Sequence, residues 1–94
     1  MNANAVGQRS TVVPHKTVYY PNGDLVLYSR ADENIITAFK VDKVMLARHS
    51  EVFDGMFRLP PPPEMETYDG QPSVRLTDKA EDIKVFLEAL YDPR

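Results

Sequence analysis

Two neighbouring segments in the first half of the chain have the apolar pattern of β-strands. Residues 24–29 and 35–41 are rich in β-branched, aromatic and other apolar side chains that suit a sheet. Four alternate residues of the second segment share one face of such a strand: Ile35, Thr37, Phe39 and Val41. Because the polar residues 30–34 form only a short connection, we predict an antiparallel pair of strands.

The spacing of apolar residues then changes from two to three or four, which is the spacing of helices. Residues 43–48 are predicted to form a short helix with Asp42 as its N-cap, since the carboxylate can accept hydrogen bonds from amides of the first turn. Ser50 is a candidate N-cap of a second helix. The apolar stripe of that second helix consists of Phe53, Met56 and Phe57. The prolines at 60–63 end it, because proline has no backbone N–H to donate.

The last part of the chain contains a third strand and the helix with the widest apolar stripe. Residues 73–77 are predicted as a strand with Val74 and Leu76 facing inward. Asp78 followed by Glu81 resembles a capping box at the start of a helix. The apolar stripe of this helix consists of Ile83, Phe86, Leu87, Leu90 and Tyr91. The order β-β-α-α-β-α predicts a small α+β domain, with short helices flanking a three-stranded sheet.

The N-terminal segment differs from the rest of the chain in charge and pattern. Residues 1–17 contain Arg9 and Lys16 but no acidic residue, whereas the whole chain of 94 residues has a net charge of −3. No clear period runs through this segment, so we predict a disordered tail over residues 1–18 and a single domain over residues 19–94. A basic, acid-poor start is also a feature of organelle transit peptides, and this stays an alternative.

Composition excludes several classes of function. The mild acidity is the opposite of the clustered positive charge that nucleic-acid binding requires. The chain has no cysteine, which excludes disulfides and cysteine-ligated metals, and its apolar runs are too short for a membrane helix. Without cysteine or a secretory signal, we expect an intracellular protein, in either the nucleus or the cytoplasm.

Residues 23–27 (GDLVL) and 39–57 (FKVDKVMLARHSEVFDGMF) together resemble the first strand and first two helices of a BTB/POZ domain. Residues 74–76 and 86–91 are similar to its third strand and the helix that follows, and the spacing resembles the BTB domains common in fungal proteins. Asp42 stands where the family often has histidine, and Glu51 where it often has proline. BTB domains usually continue with further helices, so the resemblance implies that the C-terminal helices are missing here.

The resemblance implies a protein–protein interaction module that associates with a second copy or with another BTB protein. In dimeric members an aspartate on the first strand and a basic residue at the start of the first helix form a charged pocket near the interface. Asp24 and Lys43 match these two positions. The alternative is that Asp24 only closes the preceding turn and that Lys43 lies in solvent.

A second function implied by the resemblance is that of a substrate adaptor for a cullin-based ubiquitin ligase. The motif for binding a cullin scaffold, an apolar residue and then any residue before glutamate, is expected before the third strand. Residues 63–67 read PEMET and contain no such triplet with an apolar residue other than proline.

Other chemistry has less support in the sequence. His49, Ser50 and Asp54 suggest a catalytic triad, but adjacent residues of a helix do not face each other, so we expect no enzyme. The two histidines, His15 and His49, make a poor metal site, and we expect no metal or other cofactor. Residues 60–63 match the PxxP spacing of ligands for aromatic grooves, although a stiff loop is the simpler interpretation.

The absence of further helices has a predicted physical consequence. If those helices normally cover the sheet or the last helix, apolar surface on Ile83, Phe86 or Leu90 would be left open. We therefore predict marginal stability for this chain.

Overall fold

The computed structural model describes residues 10–60 and 65–92 of the chain. Five strands and three helices follow one another within these residues: β1 (Thr11–Tyr19), β2 (Leu25–Asp32), β3 (Ile35–Val41), α1 (Lys43–His49), α2 (Glu51–Arg58), β4 (Thr67–Tyr68), β5 (Gln71–Lys79) and α3 (Ala80–Tyr91). The sheet has the strand order β1-β3-β2-β5-β4. β2 is antiparallel to β3 and parallel to β5, β1 is parallel to β3, and β4 is antiparallel to β5.

The predicted fold class is therefore wrong. The structure is a mixed, curled half-barrel sheet of five strands with three helices, not a three-stranded sheet in the order β-β-α-α-β-α. The two additional strands, β1 and β4, lie at the two edges of the sheet. Neither strand has a clear apolar period in the sequence. In β1 the alternation is interrupted by a bulge after Pro14, and β4 is only 2 residues long.

One face of the sheet packs against the helices and forms the main core. Leu25 and Leu27 of β2 and Phe39 and Val41 of β3 are buried there. The helices contribute a matching set of buried side chains: Leu46, Phe53, Ala80, Ile83, Leu87 and Leu90. Ile83 and Leu90 are thus covered without further helices, and Phe86 is partly buried against the same core.

The opposite face of the sheet carries a second, smaller core. Its buried residues are Val26 and Tyr28 on β2 and Ile36 and Ala38 on β3. Three partly buried side chains pack against them, from β1 and β4: Val12, Tyr19 and Tyr68. The curling of the sheet allows its own edges to cover this face, which needs no helix layer.

Part of the predicted tail belongs to the sheet. Thr11–Pro14 pair with Ile35–Ala38 of β3, and Val18 is buried in the main core. Residues 1–9 lie outside the described residues. The segment joins the fold because its partner strand, far along the chain, supplies hydrogen bonds that no local pattern reveals.

Helix caps differ from the sequence prediction at two of three ends. Ser50 does cap α2, since its Oγ accepts a hydrogen bond from the Phe53 amide at 3.4 Å. Asp42 lies at the N-cap of α1 but makes no side-chain cap. The proposed capping box of Asp78 and Glu81 is also wrong, because Lys79 is the N-cap residue of α3 and makes no side-chain cap.

Candidate functional site

The two residues that the sequence assigned to an interface, Asp24 and Lys43, lie close together. A tight turn, in which the Gly23 amide donates to the Tyr20 carbonyl at 2.9 Å, leads into Asp24. The Asp24 amide then bonds to the Val41 carbonyl at 3.0 Å, immediately before α1. From this position the Asp24 Oδ1 accepts a hydrogen bond from the Lys43 amide at 2.9 Å. Asp24, and not Asp42, therefore caps α1.

The contact between these residues is a cap and not an ion pair. Ion pairs among the described residues join Lys40 to Asp69, Arg58 to Asp54 and Arg75 to Glu66, and none of them includes Lys43. Carboxylates near a helix N-terminus are stabilising through both the hydrogen bond and the helix dipole. The role of the half-buried Lys43 side chain in an interface stays a prediction.

Replacing Asp24 with alanine should separate these two roles. Loss of the cap should lower the free energy of unfolding by about 1 kcal/mol, within the usual range of about 0.5–2 kcal/mol for N-caps. Asp24→Asn should retain most of the stability, because the amide oxygen accepts the same bond, and Lys43→Met should change it little. Urea denaturation measures all three variants. A destabilisation by Lys43→Met equal to that by Asp24→Ala would instead indicate a stabilising charge pair.

Tyr91 ties the end of α3 to the start of α1. Its hydroxyl accepts a hydrogen bond from the Asp42 amide at 2.9 Å and donates to the Asp42 carboxylate at 3.2 Å. Burial raises the pKa of the Tyr91 hydroxyl to about 12, so it stays protonated and able to donate at neutral pH. The Tyr20 ring packs on Tyr91 with centroids 4.4 Å apart. These contacts hold the strand-to-helix junction on which Lys43 sits.

An apolar groove begins at Lys43. It has a volume of about 580 Å³ and runs between the end of α2 and the start of β5. Its apolar walls, as far as the described residues go, include Leu25, Met56, Phe57, Leu59, Met65 and Val74. Leu59 and Met65 are 67% and 37% exposed, so the outer wall of the groove is open to solvent.

Sequence reasoning did not identify this groove. The signal available to it was that Leu59 and Met65, two large apolar residues, flank the proline-rich loop. Of the proline run at 60–63, residues 61–63 lie outside the described residues, as does Glu64, so the structure leaves the PxxP hypothesis as a prediction.

A polar cluster on the opposite face of the sheet holds the β4–β5 turn. The Asp69 Oδ2 accepts hydrogen bonds from Lys40 Nζ at 2.9 Å and from the Tyr19 hydroxyl at 3.0 Å. The Lys40 ammonium, together with this hydroxyl, lowers the pKa of the Asp69 carboxyl. Asp69 and Gly70 have φ values of 55° and 78°, the conformation that tight hairpin turns require. We interpret this cluster as structural, because its two charges, on Lys40 and Asp69, pair with each other.

Of the four residues that suggested catalysis or metal binding, three make hydrogen bonds within the fold and one is exposed. Ser50 caps α2, the Asp54 carboxylate pairs with Arg58 Nε at 3.2 Å, and His49 is exposed at the end of α1. His15 lies in β1, where its Nδ1 accepts hydrogen bonds from backbone amides. Among the described residues no group of three His, Asp or Glu side chains could hold a metal ion.

No protein-family model matches this chain, and no curated protein or solved structure is significantly similar to it. The resemblance to BTB/POZ domains therefore stays a prediction that rests on the residues quoted above. Within residues 10–60 and 65–92, no helix has both the length and the apolar character needed to cross a bilayer.

Proposed function

We propose that the chain is a protein–protein interaction module and that the apolar groove beside Lys43 is its binding surface. The observation that carries the proposal is the solvent-open apolar wall formed by Leu59 and Met65. Large apolar side chains grouped at a surface cost free energy unless a partner covers them, and such patches are typical of binding sites.

The chemistry of the groove favours a polypeptide as the ligand. Met56 and Met65 stand on its walls, and unbranched methionine side chains adapt to partners of different shape. The Lys43 side chain lies at the same groove and belongs to no ion pair of the described residues. A partner segment with apolar residues and a carboxylate would complement both features, with the charge supplying orientation and specificity.

The proposal predicts that Leu59→Asp weakens association far more than a matched change elsewhere. Burying a leucine side chain contributes about 1.5–3 kcal/mol, so its loss should raise the dissociation constant about tenfold to a hundredfold. Val85→Asp is the matched control, because Val85 is 58% exposed on α3 and lies outside the groove. Both changes place the same charge on the surface, so a general effect of charge would affect them equally.

Two measurements check this expectation. Light scattering over a concentration series follows self-association toward twice the chain mass of 10.7 kDa. In parallel, peptides selected from a random displayed library on the wild-type protein are titrated against both variants by fluorescence anisotropy. A chain that stays monomeric at high concentration and selects no peptide sensitive to Leu59→Asp would contradict the proposal.

We prefer a general protein–protein interaction module to the function of a cullin adaptor. Glu66, which directly precedes β4, accepts two hydrogen bonds from the Arg75 guanidinium at 2.9 and 3.0 Å. These bonds lower the pKa of the Glu66 carboxyl and orient it toward its own domain. Recruitment of a cullin scaffold and an intracellular location both stay predictions from the sequence.

A further inference from the structure

His15 occupies an irregular part of β1 that its own imidazole organises. In the pairing of β1 with β3, Pro14 lies opposite Ala38 and Tyr19 lies opposite Lys40. Residues 15–18 must therefore bulge out opposite the single residue Phe39. The His15 ring packs on the fully buried Phe39 ring, with centroids 4.9 Å apart.

Three hydrogen-bond donors converge on one nitrogen of this ring. His15 Nδ1 accepts from the Val18 amide at 3.0 Å and from the Thr17 amide at 3.2 Å, and the Thr17 hydroxyl lies 3.4 Å away. Two amide donors require an unprotonated Nδ1, so the imidazole must be neutral with its proton on Nε2. A proton on Nδ1 would remove the acceptor and place an N–H against two others.

We propose that His15 is a pH-sensitive switch. The neutral imidazole holds β1 on the sheet, and protonation of the imidazole releases the first half of β1. Release would uncover the backbone edge of β3 over Ile35–Ala38, where Thr11–Pro14 are paired in the closed state. An uncovered strand edge is a template for pairing with another chain. The proposal is independent of the groove and of its function.

The surroundings of the ring set the direction of the effect. Burial lowers the pKa of His15 from its ordinary value of 6.5; Glu88 on α3 opposes the shift and Lys84 on α3 adds to it. His15 lines a shallow surface cavity between β1, β3 and α3. Lys16 on β1 is the other charged side chain of the described residues there, and β3 contributes Ile35 and Thr37, which do not titrate. The open state binds the proton more readily than the closed one. The closed state is thus fully stable above pH 6.5 and loses stability as the pH falls toward the lower pKa of the folded protein.

Hydrogen exchange followed by NMR between about pH 7.5 and pH 5 tests the proposed switch at His15, because histidine is the side chain that titrates in this range. Protection factors of the Thr17 and Val18 amides, and of the Thr11 and Val13 amides that face β3, should fall by up to about tenfold per pH unit between the free-histidine pKa and the lower pKa of the folded protein, as uptake of one proton requires. Protection in the β2–β3 hairpin should change much less. A protection factor is the ratio of the intrinsic exchange rate to the observed rate, so the intrinsic pH dependence of exchange cancels.

Two variants separate the proton from the packing of the ring. His15→Asn keeps an acceptor that can bond to the following amides but cannot titrate, so its β1 protection should not depend on pH. His15→Phe keeps the packing on Phe39 but has no acceptor, so β1 should be loosened at every pH. His49→Asn removes the other histidine and should leave the wild-type profile unchanged.

The ring nitrogen shifts of His15 give a second readout that does not depend on how well the variants fold. The expected result is the Nε2–H form with a pKa below 6.5. A proton on Nδ1 at neutral pH, a pKa at or above the ordinary value, or equal pH profiles in wild type and His15→Asn would overturn the proposal.

Discussion

Replacing Phe39 with alanine is expected to lower the free energy of unfolding by about 3–5 kcal/mol, the usual loss for a buried phenylalanine. Phe39 is completely buried in the main core, between the sheet and the helices. It also supports the His15 ring at the bulge of β1. The substitution should therefore leave a cavity and weaken the docking of β1, so that amides of β1 lose protection beyond the global loss of stability.

Chemical denaturation measures the first effect and hydrogen exchange the second. Phe39→Leu is the graded control, because it keeps most of the apolar volume and should cost considerably less. Val85→Ala is the surface control, since Val85 is exposed and its truncation should be close to neutral. A cost for Phe39→Ala no larger than that for Val85→Ala would show that the core is packed differently from this structure.

Gly23→Ala is expected to lower the free energy of unfolding, because the turn leaves no room for a Cβ at this position. A Cβ at Gly23 would lie 2.8 Å from the Val41 carbonyl oxygen and 3.0 Å from the Val41 nitrogen, which are both backbone atoms of β3. Forcing the strands apart should cost about 1–3 kcal/mol, as for overpacked cores. Displacement of Asp24 should add about 1 kcal/mol by removing the cap of α1.

Gly55→Ala is the matched control for this experiment. Gly55 lies within α2, and a Cβ there meets nothing within 4 Å. Alanine is favoured over glycine inside a helix by about 0.8–1.0 kcal/mol, so this variant should be more stable than the wild type. Thermal melts of the two variants should consequently shift in opposite directions. Equal shifts would contradict the close approach of Gly23 to β3.

The elements that the sequence predicted well are those whose stabilising contacts are local or periodic. The β2–β3 hairpin and α3 lie where the apolar pattern placed them, because a two-residue or a three-to-four-residue period has to match a buried face. Ser50 was also identified correctly, since a serine cap acts on an amide only three residues away. β4 was missed, because a strand of 2 residues is too short to give a pattern of its own.

The cap of α1 shows why local reasoning was insufficient at the candidate site. Asp42 precedes the helix directly and has the right chemistry, yet its carboxylate accepts from the Tyr91 hydroxyl. Asp24 takes over the cap because the Tyr20–Gly23 turn brings the start of β2 beside the end of β3. The sequence identified Asp24 and Lys43 as neighbours only through a family resemblance, and their contact through a backbone amide was not foreseen.

The sequence by itself determined the periodic interior of this protein: the central hairpin, the apolar faces of the helices and the absence of cysteine chemistry. Only the tertiary structure decided the edges of the sheet, the helix cap at Asp24, the groove beside Lys43 and the converging donors at His15. The physical reason is the range of the interactions. Periodicity reports which residues face a core, whereas strand pairing such as that of Thr11 with Ile35 joins groups that are distant along the chain.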